Sequence, residues 1–227
     1  DFGHRLARQF GLPVLPLRAG LVPFTLQEKQ RAIWAELAGV SLPVRAQSKT
    51  AAFQENMLFT HRGLSGPAML QLSSYWQPGE FIETCLLPDT DIAAWLDEQR
   101  QSRPRQALRN VLAPTLGKRF TELFCNHCLA GQVDTAKNMA DLNREEIETL
   151  QAQLSALRWK PDGTEGYRTA EVTLGGVNTD ALSSSSFEVI TVPGLHFIGE
   201  VLDVTGQLGG YNFQWAWASG WCAGQAL

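Results

Sequence analysis

The spacing of hydrophobic and polar positions divides the chain into regions of different period. Over residues 3–10, Arg5, Arg8 and Gln9 stand opposite Leu6, Ala7 and Phe10, the pattern of an amphipathic helix of about two turns. Gly11 follows as its terminator. From Leu12 to Leu87 short apolar runs dominate: Leu15–Leu17, Leu21–Leu26, Val40–Ala46, Lys49–Gln54, Met57–Thr60 and Phe81–Leu87. Short strands this close together predict a small antiparallel barrel or sandwich. Glu28–Leu37 and the stretch from Ser65 interrupt them as helices, with Ser65 as cap and Pro67 in the first turn.

Between Asp89 and Leu157 the period becomes helical. Asp91–Gln101, Arg105–Leu112, Lys118–Leu129 and Arg144–Leu157 carry apolar residues three and four apart, with Pro88, Pro104, Pro114 and Asn143 at their boundaries. Asn143-Arg-Glu-Glu reads as a cap with acids in the first turn. The chain then returns to a strand over Tyr167–Leu174. Leu195–Ile198, between Gly194 and Gly199, has the pattern of a buried parallel strand. Gly206, Gly209 and Gly210 open a run of small and aromatic residues that predicts a final helix. On it, Trp215, Trp217 and Trp221 form either an adhesive face or, more often at this spacing, core.

Composition narrows the classes. At 227 residues, 44% hydrophobic and 19% charged, the chain has the composition of globular material, enough for one large domain or two small ones, and no disordered composition appears. A formal net charge of -4 gives no support for nucleic-acid binding as the main activity, and no nucleic-acid partner is expected. No apolar run approaches the roughly 20 residues of a membrane span. Four cysteines without a framework point to a reducing cytoplasm. Cys125-Asn-His-Cys128 lacks a second ligand pair, so buried helical thiols are expected there and no metal site.

Several stretches carry candidate chemistry. A strand, a glycine turn and a helix start near Gly199–Asn212 would gather free N–H groups beside two carboxylates, Glu200 and Asp203. Ala170-Glu-Val-Thr-Leu-Gly-Gly ends a strand on Gly175 and Gly176, which either let a backbone approach a flat ligand or form a bulge. In Phe59-Thr-His-Arg-Gly-Leu-Ser-Gly, His61 is either a proton donor near a substrate or a polar group satisfying the turn. Leu17-Arg-Ala-Gly-Leu-Val-Pro places Arg18 at a strand start.

These four stretches, in this order, resemble the BaiN/YhiN-like FAD-dependent oxidoreductases. The resemblance covers essentially the whole chain, and Gly-Glu-Val-Leu-Asp followed by Gly-Gly-Tyr-Asn-Phe is its most specific part. It implies a flavin site: Glu200 on a ribityl hydroxyl, Gly209, Gly210, Tyr211 and Asn212 at the pyrimidine end, and Thr173, Gly175 and Gly176 along the ring. Asp203 would bind the flavin or orient the turn. His61 would be the catalytic group on the substrate side.

The resemblance implies an α+β, multi-domain fold: a small β-barrel carrying a helical insertion, flanked by two pieces of an incomplete FAD-binding α/β domain. Residues 1–16 would be the first flavin-domain piece, 17–88 the barrel, 89–157 the helices, 158–174 the return through the barrel, and 175–227 the closing strand, turn and helix. The family's G-x-G-x-x-G fingerprint does not occur in these residues. A truncated chain is therefore expected, binding FAD weakly or not at all by itself. The intact protein would move hydride between a nicotinamide cofactor or organic substrate and FAD, acting on an unsaturated carbonyl compound or an amine. The alternative is a non-enzymatic binding module built from the barrel and helices.

Overall fold

The computed structural model describes residues 2–227. The chain opens with helix α1 (Phe2–Gln9), strands β1 (Val14–Gly20) and β2 (Phe24–Leu26), and helix α2 (Glu28–Trp34). Strands β3 (Ser41–Gln47), β4 (Ala52–Phe59) and β5 (Gly63–Ser65), helix α3 (Pro67–Ser73) and strand β6 (Ile82–Cys85) follow. Four helices come next: α4 (Ile92–Ser102), α5 (Leu108–Leu116), α6 (Lys118–Leu123) and α7 (Arg144–Ser155). Strands β7 (Leu157–Trp159), β8 (Pro161–Thr164) and β9 (Val172–Val177) lead to helix α8 (Tyr211–Ala226). This is a mixed α+β fold with antiparallel sheets, divided into two compact units, one of Pro23–Thr164 and one of Asp1–Val22 with Glu165–Leu227.

In the unit Pro23–Thr164 the sheet order is β7-β6-β3-β4-β5-β2-β8. Strands β7 and β8 lie at opposite ends of that order, yet only Lys160 separates them in the chain. Successive Cα atoms are about 3.8 Å apart, so the two ends of the sheet are brought together and it curls into a barrel. Inside, Trp34 stacks on Phe59 and on Phe120 of α6 and meets Trp159 edge-on, with centroids 5.8, 5.9 and 5.0 Å apart. The helices therefore share the barrel's core.

The structure moves several boundaries read from the sequence. Lys49–Gln54 and Met57–Thr60 are not two strands: β4 runs unbroken, paired with β3 from Ser41↔Leu58 to Gln47↔Ala52. Its solvent-facing polar residues, Gln54 to Asn56, concealed the continuity. Ser65 lies in β5, and Gly66 is the N-cap of α3 with no side-chain cap bond. Pro114 lies inside α5 rather than at its boundary. The bond it cannot make would go to the carbonyl of Asn110, which sits at an exposed position where water can serve.

Asn143 does cap α7, reciprocally with Glu146. The Glu146 carboxylate, 6% exposed, accepts from Asn143 N (2.9 Å), from Asp134 N (3.2 Å) and from Lys137 Nζ (2.9 and 3.1 Å). The Asn143 N–H foremost, with Lys137 and Asp134, holds this carboxyl below its ordinary value against the opposing effect of burial. A carboxyl lowered by folding stabilises the native state above its unfolded pKa and ceases to do so as pH falls through the folded value. Glu146→Gln is therefore expected to cost about 2 kcal/mol at neutral pH. In urea melts the gap from the unaltered protein should narrow below pH 4.5, the group's ordinary value.

The other unit is smaller and thinly cored. β1 and β9 form a two-stranded antiparallel ladder with a bulge between Leu15 and Arg18. Ala7, Leu12, Val177, Leu182, Val189, Phe197 and Leu202 make its buried cluster. The strand expected over Tyr167–Leu174 begins instead at Val172 and runs on through both glycines, after a single helical turn over Gly166–Arg168. Leu195–Ile198 is not a parallel strand: among the described residues its one ladder contact is an antiparallel bridge between His196 and Glu188. A short apolar run carries no information on whether neighbouring strands exist to pair with it.

Candidate functional site

Helix α8 fixes the site. Ser219 Oγ accepts from Gly199 N at 3.0 Å, and Trp215 Nε1 donates to Gly199 O at 3.1 Å. Both backbone groups of Gly199 are thus held by one helix face, which sets the helical turn Gly199–Val201 and so the position of Glu200. Trp215 packs inward by this bond. Trp217 and Trp221 do not: they are 75% and 68% exposed, so the expectation of core fails for two of the three.

The turn before α8 is held by Asn212. Its Oδ1 accepts from Gly206 N (2.8 Å) and its Nδ2 donates to Gly206 O (3.0 Å), closing the loop on itself. Gly210 is the N-cap in the left-handed region, φ 91, and supplies no side-chain cap. No acidic residue stands in the first turn. The helix's leading N–H groups and the positive end of its dipole are therefore directed at whatever occupies the adjoining space.

That space is a cleft of about 200 Å³ lined by Glu200, Gly209, Gly210 and Asn212 on its polar side and by Val172 and Phe213 among its apolar groups. Four of the residues expected from the sequence are thus brought together. Thr173 joins through its backbone, whose N–H donates to Glu200 Oε1 at 2.6 Å. One carboxylate oxygen is spent on the fold and the other remains an acceptor.

The remaining expected residues stand differently. Tyr211 is exposed on the first turn of α8, and Asp203 donates its backbone N–H to Val177 O with its side chain outward. At Gly175 an added Cβ would lie 2.2 Å from Pro16 O, and at Gly176 2.6 Å from Val201 O. The space left by both glycines is filled by this chain's own backbone. His61 is exposed in the hairpin between β4 and β5, in the other unit. There Thr60 Oγ1 accepts from Arg62 N and Gly63 N at 3.2 and 3.0 Å, so the turn is satisfied without the imidazole.

One residue near the cleft was not visible from sequence. Burial pushes the His4 imidazole down, with Val201 backbone as its hydrogen-bonding neighbour, and its Nε2 has no partner among the described residues. A lone histidine on a helix carries no signal of such a place. The Cys125 and Cys128 thiols are pushed up by burial, Cys128 to about 12, which makes them poor nucleophiles.

Residues 18–172 match the family model described as the HI0933-like protein barrel and H2TH domain, and the chain belongs to that family. Among its relatives, the ribosomal RNA dihydrouridine synthase of Escherichia coli is 55% identical over 228 residues, 100% of this chain and 56% of that protein. The enzyme of the same name from Haemophilus influenzae is 46% identical, over 98% of this chain and 55% of that protein. The 3-dehydro-bile acid delta(4,6)-reductase of Clostridium scindens is 28% identical, over 99% of this chain and 57% of that protein. The chain spans just over half the length of these relatives.

These relatives overturn the exclusion of nucleic acid, since two of them are named for ribosomal RNA. The exclusion relied on a net charge of -4 summed over the chain. Binding to a phosphate backbone depends on local charge instead. Residues 100–119 hold Arg100, Arg103, Arg105, Arg109, Lys118 and Arg119 and no Asp or Glu. A whole-chain sum does not register such a local run. Among the described residues, no helix is long and apolar enough to cross a membrane.

Proposed function

We propose that the polypeptide to which this chain belongs is a flavin-dependent reductase that converts uridine to dihydrouridine in ribosomal RNA. The observation that carries the reading is the 55% identity, along the whole chain, to a protein named for that activity. The more distant reductase supports the same chemistry in a second way. A 4,6-dien-3-one and a uracil each present a carbon–carbon double bond conjugated to a carbonyl, so hydride adds at the far carbon and a proton at the near one. A uracil is an unsaturated carbonyl compound, one of the two substrate classes expected from the sequence, an amine being the other.

The cleft's chemistry suits part of a flavin. Its apolar lining accepts a flat ring, and the open start of α8 accepts partial negative charge at the ring's pyrimidine edge. At about 200 Å³ it is smaller than the roughly 300–1,000 Å³ of complete small-molecule sites. This chain by itself is expected to hold FAD weakly or not at all. Glu200 would accept from a ribityl hydroxyl, while Gly209, Gly210 and Tyr211 would present the turn's backbone to the ring. Asn212 would keep that turn closed, the Thr173 N–H would hold one oxygen of Glu200, Gly175 and Gly176 would let β9 lie against Pro16 and Val201, and Asp203 would tie the segment after Glu200 to Val177.

FAD, when bound, supplies the hydride chemistry, with NAD(P)H as its reductant. Free cysteines fit a cytoplasmic setting. The test is whether dihydrouridine forms in unmodified ribosomal RNA only when the polypeptide, extended to the length of its relatives, carries reduced flavin.

A further inference from the structure

We propose that the cleft between α5 and α6 holds the phosphodiester backbone of the ribosomal RNA. This rests on the reading of the protein as an RNA-modifying enzyme and assigns its RNA-holding surface. The cleft, about 290 Å³, is lined by Arg109, Asn110, Lys118, Thr121, Glu122 and Asn126 among others. Arg109 and Lys118 are exposed and belong to the acid-free run of residues 100–119. Among the described residues no carboxylate pairs with either, nor with Arg103, Arg105 or Arg119 nearby in the chain. Arg100 lines a different hollow, with Asp97 and Glu148, and is not part of the site.

Two details distinguish this cleft from a solvated basic face. Arg109 is held at both ends: its backbone N donates to Thr135 O at 3.2 Å and its Nη2 to Thr135 Oγ1 at 3.1 Å. The other guanidinium donors are left over, in the planar fork that suits a phosphate. Thr121, at the cleft wall, is 3% exposed and its Oγ1 has no partner among the described residues. A buried hydroxyl without a partner calls for one, and a phosphate oxygen is an acceptor to which it can donate. The amides of Asn110 and Asn126 add donors at the rim. Glu122 is the opposing charge. Backbone contacts of this type position RNA without reading its sequence.

The test titrates the chain with a labelled, single-stranded, unmodified ribosomal RNA transcript over about a fourfold range of salt. Lys118→Ala and Arg109→Gln are each expected to weaken binding roughly threefold and to lower the salt slope by about 0.7 to 0.9, alike for RNAs of any sequence. Glu122→Gln is expected to strengthen binding, a gain that misfolding would not produce. Arg144→Ala, which removes a cation ion-paired to Glu148 on α7, should leave binding unchanged. Unaltered slopes, an equal loss from Arg144→Ala, or displacement of RNA as readily by polyglutamate would overturn the assignment. Dihydrouridine formation at unchanged RNA affinity in the Lys118 and Arg109 variants would reject the cleft and leave the enzymatic reading standing. The stated variant pattern in a protein that makes no dihydrouridine would do the reverse.

Discussion

Replacing Trp159 by Ala is expected to destabilise the barrel unit by about 4 kcal/mol, the upper part of the range for emptying a large core site. Trp159 is 1% exposed and is the largest fully buried side chain. Its ring meets Trp34 at 5.0 Å and Phe59 at 5.8 Å, and Phe120 of α6 lies against both of those. The barrel core and the helices would therefore loosen together. The indole Nε1 also donates to Thr84 Oγ1 at 2.9 Å, and that hydroxyl donates to Leu157 O at 3.3 Å, so a buried relay is broken as well. Trp159 ends β7, one residue before the chain crosses to β8, which puts the cavity at the seam of the closed sheet. Against domain stabilities of about 5–15 kcal/mol, the loss is large. Denaturant melts followed by circular dichroism measure it. Trp221→Ala, at an exposed position, should stay within about 0.5 kcal/mol. A Trp159→Ala change below about 1 kcal/mol would mean that the aromatic cluster does not hold the unit together.

Gly175→Ala is the second large effect, in the other unit. The residue has φ 80, and its added Cβ would lie 2.2 Å from Pro16 O and 2.8 Å from Pro16 C. Both atoms are backbone of β1, so no rotamer change relieves the clash. Either the β1–β9 ladder parts or β9 rotates, and the latter would carry the Thr173 N–H away from Glu200. A loss of about 3 kcal/mol or more is expected. Gly194→Ala provides the comparison, because Gly194 has the same φ of 80 and nothing within 4 Å of its Cβ position. It should cost only the backbone term, about 1–2 kcal/mol. Equal losses from the two variants would show that left-handed geometry alone, rather than strand approach, demands Gly175.

The sequence was most legible where one local signal decides the structure. The periodic stretches of α4 to α7 and the Asn143–Glu146 cap were recognisable because helix and cap are made by residues three and four apart. The start of α8 was marked by its glycines. Legibility fell where the outcome depended on a distant partner. Leu195–Ile198 looked like a strand, yet pairing requires neighbours that a run of apolar residues does not specify. Gly175 and Gly176 pointed to close approach, but only coordinates show that Pro16 and Val201 do the approaching. Asn212 was expected at the cleft, and its role as the clamp on Gly206 needed the fold. The exclusion of nucleic acid rested on a whole-chain sum of charge, which does not register a local run such as that from Arg100 to Arg119.

The most direct measurement is anaerobic. The polypeptide extended to the length of its relatives is loaded with FAD, reduced with NAD(P)H, freed of excess nicotinamide and mixed with unmodified ribosomal RNA. The expected result is one dihydrouridine formed for each flavin reoxidised, with no reoxidation when the RNA is omitted. Dihydrouridine formed equally well by flavin-free protein, or reduced flavin that leaves every uridine unchanged, would contradict the proposed function.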